Sequence, residues 1–257
     1  MRNNIRLAFS FAKRDFKERY VGTGLGQLWY IISPIIMIFI YTVIFSDFMK
    51  MKLNIIDNTY AYSIYIVPGL LSWISFSKVI SLLSNMIAQK SNLIKKINTP
   101  IYVFFLSLGI TEFILLILSM FFGIVFLLLI DYPIGLSFIW LLPIMFLQMI
   151  FAFSFGVIIA LLVPFIKDLK EAIPIAIQLW FWATPIIYLK DKVLQKYPLI
   201  LDFNPFFHFV HLYQDIFLYS KIPSFQELLL ITSISFSTLF LAAYLYKKMV
   251  NTIKDII

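Results

Sequence analysis

Six long apolar runs leave this chain few ways to fold. They cover residues 25–46, 61 to about 87, 101–130, 135–166, 172–189 and 225–246. About 20 apolar residues, rising 1.5 Å each as a helix, cross a hydrocarbon layer of roughly 30 Å. Five runs reach that length, and the fifth in order (172–189) nearly does. Of all residues, 61% are apolar and only 13% charged, where a soluble domain carries about 25% charged residues. Such a chain has too little polar surface to cover a globule in water. The expectation is one all-α integral membrane domain of six transmembrane helices. Pro34, Pro68, Pro143 and Pro185 interrupt the runs, as membrane helices tolerate.

Lys and Arg fix the orientation. One side of the six-span scheme holds Arg2, Arg6, Lys13, Arg14, Lys17, Arg19, Lys90, Lys95, Lys96, Lys167, Lys170, Lys247, Lys248 and Lys254. The other holds Lys50, Lys52, Lys190, Lys192, Lys196 and Lys221, and Lys78 falls inside the second run. Both termini are therefore expected in the cytoplasm. The absence of cysteine rules out disulfides, thiolate metal sites and a cysteine nucleophile. The first twenty residues carry scattered charges and no small-residue cleavage site after an apolar core, so no secretory signal peptide is expected.

The stretch RYVGTGLGQLW, with Gly22, Gly24 and Gly26, poses a choice between a phosphate cradle and a hinge. A phosphate-binding glycine turn follows a buried strand. This one follows a charged segment in which Ile5, Phe9, Ala12, Phe16 and Tyr20 recur at mostly four-residue steps, with Leu7 and Phe11 off the stripe. That pattern is an amphipathic helix with a basic face, expected in the cytoplasmic headgroup layer. The spacing is GxGxG with no GK[ST] behind it, so the glycines read as an elbow into the first span.

No constellation supports catalysis. His208 and His211, at i and i+3, share a face, but only Asp202 or Asp215 stands near enough to extend a ligand set; no metal site is expected. Glu112 is the acidic residue deep in a span, where an unpaired charge costs about 2.5–3.5 kcal/mol. Counted from the cytoplasmic ends of their spans, Glu112 and Lys78 both fall roughly 15–18 Å deep, so they are expected to form an intramembrane ion pair. Polar or aromatic faces recur in three spans: Gln27, Tyr30, Pro34, Tyr41 and Phe45; Trp73, Ser77, Ser81 and Ser84; Gln178, Phe181, Pro185 and Tyr188. Helix packing, an interfacial belt and a polar conduit all produce such stripes. After Asn204 and Pro205, an N-cap and first-turn pair, FFHFVHLYQDIFLY reads as a helix too short to span, re-entrant or interfacial on the outer face. SNLIKKINTP and FIKDLKEAIP read as short basic turns facing the cytoplasm.

Taken in order, RYVGTGLGQLWYIISPIIMIFIYTVIF, VPGLLSWISFS, NLIKKINTP, KDLKEAIPIAIQLWFWATPIIY and NPFFHFVHLYQDIFLY resemble the type-2 ABC exporter permeases of bacterial surface polysaccharides. The family includes O-antigen, capsule and teichoic-acid exporters, and the first block is most similar to the O-antigen branch. The resemblance covers nearly the whole chain. It implies a homodimeric channel subunit in the bacterial inner membrane, joined to two copies of a separate ATPase that holds the ATP and Mg. The permease itself would carry no cofactor and bind no nucleic acid. It divides the chain into an interface helix and elbow (1–24), spans one to five (25–189), an outer gate segment (190–224) and span six with its tail (225–257). It also implies a coupling helix at 91–98, with Asn92, Leu93, Lys95, Lys96 and Ile97 meeting the ATPase. Channel lining would fall to Tyr30, Tyr41, Phe45, Trp73, Ser77, Phe181 and Tyr188, and the outer gate to Asn204, Pro205, Phe206 and Phe209. The implied substrate is a polysaccharide on undecaprenyl pyrophosphate or a related anchor, and Arg14, Lys17 and Arg19 are placed to attract that pyrophosphate. Lys78 and Glu112 match no family role. The rival readings are an integral-membrane transferase acting on lipid-linked glycans, which would need clustered acids, and a secondary transporter, which would need internal symmetry and midplane ions.

Overall fold

The computed structural model describes residues 2–48, 59–96, 99–190 and 201–256. Among them are eight α-helices: α1 (Arg2–Glu18), α2 (Trp29–Thr42), α3 (Ala61–Lys96), α4 (Ile101–Leu129), α5 (Leu141–Leu162), α6 (Leu169–Ala183), α7 (Pro205–Tyr219) and α8 (Phe225–Ile256). A 3₁₀ turn at Gly26–Leu28 leads into α2, and a π-helical turn at Val43–Phe48 ends it. Five stretches are long and apolar enough to cross a membrane: Gly26–Ser46, Ala61–Lys95, Ile101–Leu129, Leu136–Leu162 and Phe225–Lys254.

Helix α3 is the central post. Its apolar window is 67% buried, against 17% for the first and last of these stretches, and Ile64, Ile66, Phe76, Ile80 and Leu83 are fully enclosed. Gly156 of α5 faces Leu83 so closely that a Cβ there would come within 2.7 Å of Leu83 Cδ1, which lets the two backbones approach as small residues do between membrane helices. Polar stitches reinforce the contact. Ser72 Oγ donates to Gln148 Oε1 at 3.0 Å, and Gln148 Nε2 returns a bond to the Ser72 carbonyl at 3.0 Å.

At 36 residues, α3 is roughly 54 Å long, and α4, at 29 residues, roughly 43 Å. Both outrun a 30 Å layer. The separate basic turn expected at 91–98 is instead the last turns of α3, through Lys96. Nothing in SNLIKK breaks a helix, and the first breaker is Pro100, whose backbone is extended at φ −60° and ψ 136°.

The fifth apolar run departs further from expectation. Helix α6 stops at Ala183 after 15 residues, about 22 Å. Thr184, held extended at ψ 126°, precedes Pro185, which disfavours helix at the residue before it. The backbone beyond is irregular yet enclosed, and buried side chains satisfy its carbonyls. Asn204 Nδ2 donates to Ala183 O (3.2 Å), Gln214 Nε2 to Pro185 O (3.2 Å), Tyr65 OH to Tyr188 O (3.1 Å), and Tyr62 OH to Ile187 O. Non-helical backbone at membrane depth requires such partners.

Helix α7 supplies several of them. Asn204 caps it, its Oδ1 accepting from the amides of Phe206 and Phe207 and from Trp180 Nε1 at 2.8 Å. Phe206 stacks on Phe76 at 4.1 Å between centroids. Phe76 lies 15 residues, about 22 Å, from the Ala61 end of α3. The start of α7 is thus sunk deep in the bundle, and the helix climbs antiparallel to α3 towards Tyr132, whose hydroxyl donates to the Leu218 carbonyl at 2.6 Å.

Candidate functional site

Helix α1 does not lie alone on a surface; it is strapped along the first turns of α4. Asn4 Nδ2 donates to Tyr102 OH at 2.7 Å, Phe11 stacks on Phe104 at 5.4 Å, and Thr111 Oγ1 donates to the Ala12 carbonyl at 3.4 Å. The inward face is Ala8, Phe11 and Ala12, while Ile5 and Phe9 of the expected stripe are 53% and 58% exposed. The small alanines admit α4 and so decide which face turns in. Beyond α1 the elbow closes through a run of turns, with Gly22 at φ +89° and Gly26 at φ +51°. These left-handed conformations favour glycine, which is the role the spacing predicts for those two.

The elbow delivers Arg19 to the buried ion. Glu112 is 1% exposed, and Arg19 Nη1 donates to its Oε1 while Nη2 reaches Asp15 Oδ2 at 2.9 Å. Lys78, the partner anticipated for Glu112, stands 3.7 Å from the other oxygen, Oε2, with its side chain 40% exposed. Arg19 is therefore not a free headgroup-level cation; it is the closer partner. Burial works against its charge, but Glu112 and Asp15 outweigh burial and hold its pKa above the ordinary value. Lys78 and Glu112 each lie 17 residues, about 25 Å, from the Ala61 and Leu129 ends of their helices. A 30 Å layer starting at those ends would put the cluster close to the opposite boundary rather than at the midplane. Both α3 and α4 are longer than such a layer, so the depth counted from sequence depends on where along them the layer begins.

A cavity of about 120 Å³ opens beside the cluster, under α2 and against α3 and α4. Tyr20, Trp29 and Tyr30 line one side, and Ser75, Lys78, Glu112 and Ser119 the other. The Tyr30 hydroxyl is committed to the Phe16 carbonyl at 2.8 Å, so its ring forms wall, not donor. Ser75 Oγ is buried and finds no hydrogen-bond partner among the described residues.

The other expected lining residues do not share this cavity. Trp73 is buried against Phe76, Trp180, Phe181 and Phe206 in one aromatic cluster. Tyr41 stacks on Phe45, which leans on Tyr62. Ser77 bonds back to the Ile74 carbonyl, and Tyr188 OH donates to the Trp182 carbonyl at 2.6 Å. Of the expected gate residues, Phe206 and Phe209 are fully buried and Asn204 is 6% exposed; residues 193–200 of that segment lie outside the described residues. At the foot of α3, Asn92 and Lys95 are exposed and Leu93 is half-buried. Lys96 closes the helix, and Ile97 lies outside the described residues. Arg14 pairs loosely with Glu18 at 3.6 Å, and Lys17 is exposed.

A second ion network, not anticipated from sequence, joins α7 to the start of α8. Asp215 accepts from Lys221 at 2.9 Å and Lys190 at 3.3 Å and meets His211 at 3.2 Å; His211 also lies 3.7 Å from Glu227. Burial pushes the Asp215 carboxyl up, but His211, Lys221 and Lys190 outweigh it and hold it well below the usual carboxylate range. His211, Asp215 and Glu227 sit close enough to share a metal ion. The two lysine ammoniums already neutralise both carboxylates, so the arrangement is a self-balanced ion network. His208 points elsewhere, to the Asp202 carbonyl at 3.3 Å.

A multi-pass helical bundle with a strapped amphipathic helix, an elbow and a short helix sunk into its interior defines a membrane domain of transporter type. Residues 6–218 match the ABC-2 type transporter family, and the chain belongs to it. It is similar to the O-antigen export system permease protein RfbA of Klebsiella pneumoniae, with 29% identity over 207 residues, 80% of this chain and 77% of that protein. It is also similar to the protein of the same description from Myxococcus xanthus, with 26% identity over 249 residues, 94% of this chain and 91% of the relative.

Proposed function

We propose that the chain is the channel-forming subunit of an ATP-driven exporter that moves a lipid-linked polysaccharide, an O-antigen on undecaprenyl pyrophosphate, across the bacterial inner membrane. The observation that carries this reading is the similarity to O-antigen export permeases over 80–94% of the chain, within a family match spanning residues 6–218. On this reading two copies pair and two copies of a soluble ATPase dock below. Both termini face the cytoplasm, and α6 with the irregular segment after Ala183 completes a sixth crossing. The ATPase would bear on Asn92, Leu93, Lys95, Lys96 and Ile97. Because Asn92, Leu93, Lys95 and Lys96 end the same helix that carries Trp73 and Lys78, a push there would reach the bundle interior without a hinge. Arg14 and Lys17 would gather the anionic substrate at the surface, and the aromatic faces of the first, second and fifth crossings would line its path. Asn204, Pro205, Phe206 and Phe209 would form the outer gate.

The test is purification from native membranes in mild detergent with identification of the co-purifying chains. A stoichiometric P-loop protein that brings ATPase activity is expected; a folded, homogeneous permease with no such partner after crosslinking would overturn the reading. In that complex, Lys95→Glu with Lys96→Glu should leave folding intact and uncouple ATP hydrolysis from glycan export. Unchanged export would remove the coupling role.

A further inference from the structure

The cavity beside Lys78 holds features that structural packing leaves unused. Of the two cations on Glu112, Arg19 is doubly bonded and 18% exposed, whereas Lys78 makes one loose contact and keeps 40% of its side chain open. The charged groups lining the cavity are Lys78 and Glu112, with Arg19 and its second partner Asp15 behind them, so Glu112 stays paired with Arg19 if Lys78 lets go. One α-helical turn from Lys78 on the same helix, Ser75 lines the same cavity. It is 9% exposed, and its hydroxyl has no partner among the described residues. A buried hydroxyl without a partner is costly to keep, and a charge enclosed in an apolar bundle is by default a functional group. A loosely held ammonium and an unpartnered hydroxyl donor lining one recess, with the neighbouring carboxylate already held by Arg19, suit an oxyanion.

The surroundings narrow which oxyanion. The volume of about 120 Å³ is far above the roughly 10–15 Å³ that one water needs. The wall away from the bundle is α2, which packs inward along Tyr30, Pro34, Ile38 and Tyr41 and exposes the apolar side chains Ile31, Ile35, Ile36 and Phe39. Tyr20 and Trp29 at the rim are side chains typical of the headgroup boundary. An apolar tail therefore has hydrocarbon beside it while its phosphate end sits inside. By contrast, the recess between α4, α5 and α8, lined by Gly109, Phe113, Phe146, Phe153 and Phe236, offers no polar group to a phosphate. We propose that the α2–α3–α4 cavity seats the phosphate end of an isoprenoid-linked substrate, with Lys78 exchanging Glu112 for the phosphate and Ser75 donating to it. This rests on the export reading above and extends it to a site.

The test is equilibrium binding of farnesyl diphosphate to the purified permease in nanodiscs, with farnesol and inorganic diphosphate as competitors. It needs neither the ATPase nor transport, so it can fail while ATP-driven export succeeds, and the reverse. Saturable binding is expected, outcompeted by neither farnesol nor inorganic diphosphate at equal concentration. Lys78→Gln should weaken it about tenfold or more through loss of a charge-assisted bond, and Lys78→Arg should restore most of it. Ser75→Ala should weaken it several-fold while leaving thermal stability unchanged or higher, since the hydroxyl removed has no partner to strand. A merely structural serine would not show that split. Binding within twofold of wild type in well-folded Lys78→Gln and Ser75→Ala proteins would overturn the proposal. Equal competition by inorganic diphosphate would overturn the lipid-borne source in favour of a soluble phosphate, and equal competition by farnesol would overturn the oxyanion itself.

Discussion

The two ion networks of this bundle use the same kinds of side chain and balance them differently. In the first, a single carboxylate, Glu112, is enclosed at 1% exposure and held by residues 93 positions before it in sequence and on a neighbouring helix. In the second, Asp215 and Glu227 face Lys190, Lys221 and His211, with Lys221 half exposed and Glu227 at 27%. The outer network is redundant: Asp215, itself 5% exposed, has three partners, and Lys221 and Glu227 keep a path to water. The inner one is not. Removing its enclosed anion leaves Lys78 without its carboxylate and Arg19 with only the half-exposed Asp15. Redundancy near solvent makes a tolerant clasp; economy in the interior makes a site whose partners can be exchanged.

The largest effect should therefore come from Glu112→Gln. Breaking a buried pair from one side costs about 3–5 kcal/mol because the partner stays charged and enclosed. The expected outcome is a collapse of the monodisperse fraction on size-exclusion chromatography after mild heating, partly rescued by adding Lys78→Gln. A loss no greater than that of Asp215→Asn would erase the distinction between the networks. Asn204→Ala comes next. It strands Trp180 Nε1 and removes the cap of α7 together with two links to the end of α6. A cap contributes about 1 kcal/mol and a stranded buried donor about 1–3, so a loss of about 2–4 kcal/mol is expected in denaturant unfolding. Asn204→Asp, which keeps the acceptor, should recover part of it.

How far sequence reaches into this arrangement depends on whether a feature is local. The apolar runs that become α2 to α5 and α8, the Asn204–Pro205 start of α7 and the elbow at Gly22 and Gly26 are local, and the residues announce them. The approach of Lys78 to Glu112 follows from counting along two adjacent helices. Arg19 on Glu112 does not. That contact depends on α1 lying along α4, which depends on Ala8 and Ala12 being small enough to admit it, whereas the stripe's first two members, Ile5 and Phe9, are exposed. The end of α6 within the fifth apolar run is half legible. Thr184–Pro185 marks a stop, but only the tertiary placement of Tyr62, Tyr65, Asn204 and Gln214 lets the backbone stay irregular there instead of remaining one helix. Ser75 carried no signal at all, because a lone serine in a membrane helix ordinarily bonds its own preceding turn.

The outer network yields the smaller effects. Asp215→Asn should cost about 1–2 kcal/mol, since three cationic or hydrogen-bonding partners lose one shared anion while Glu227 remains for two of them. Its pH signature has a definite sign. A carboxyl held below its ordinary value of 3.8 stabilises the fold above that value, and the contribution is lost only as pH falls through the lower, folded-state value. The pKa of Lys221 is raised above 10.5, by its bond to Asp215 first. Its contribution is full below 10.5 and fades only as pH rises through the folded-state value. The difference in melting temperature between wild type and Asp215→Asn should thus stay constant from pH 5 to pH 8 as far as these two groups determine it. A difference that shrinks within that window would show that these two groups do not set the network's pH response.

The smallest effect tests redundancy itself. Lys221→Gln removes an ammonium that is 50% exposed and touches Asp215 at 2.9 Å and Glu227 at 3.6 Å. Lys190 still reaches Asp215 at 3.3 Å, and Ser224 still bonds Glu227 through both its backbone amide and its hydroxyl at 2.7 Å. Neither carboxylate is stranded. An exposed ion pair contributes about 0.2–1 kcal/mol, and screening at roughly 0.15 M salt cuts it further, so the variant should unfold within about 1 kcal/mol of wild type. Raising the salt should narrow the gap. A loss approaching that of Glu112→Gln would mean that Lys221 alone holds Asp215 and that the outer network has no redundancy. The contrast between the clusters would then lie in depth and not in wiring.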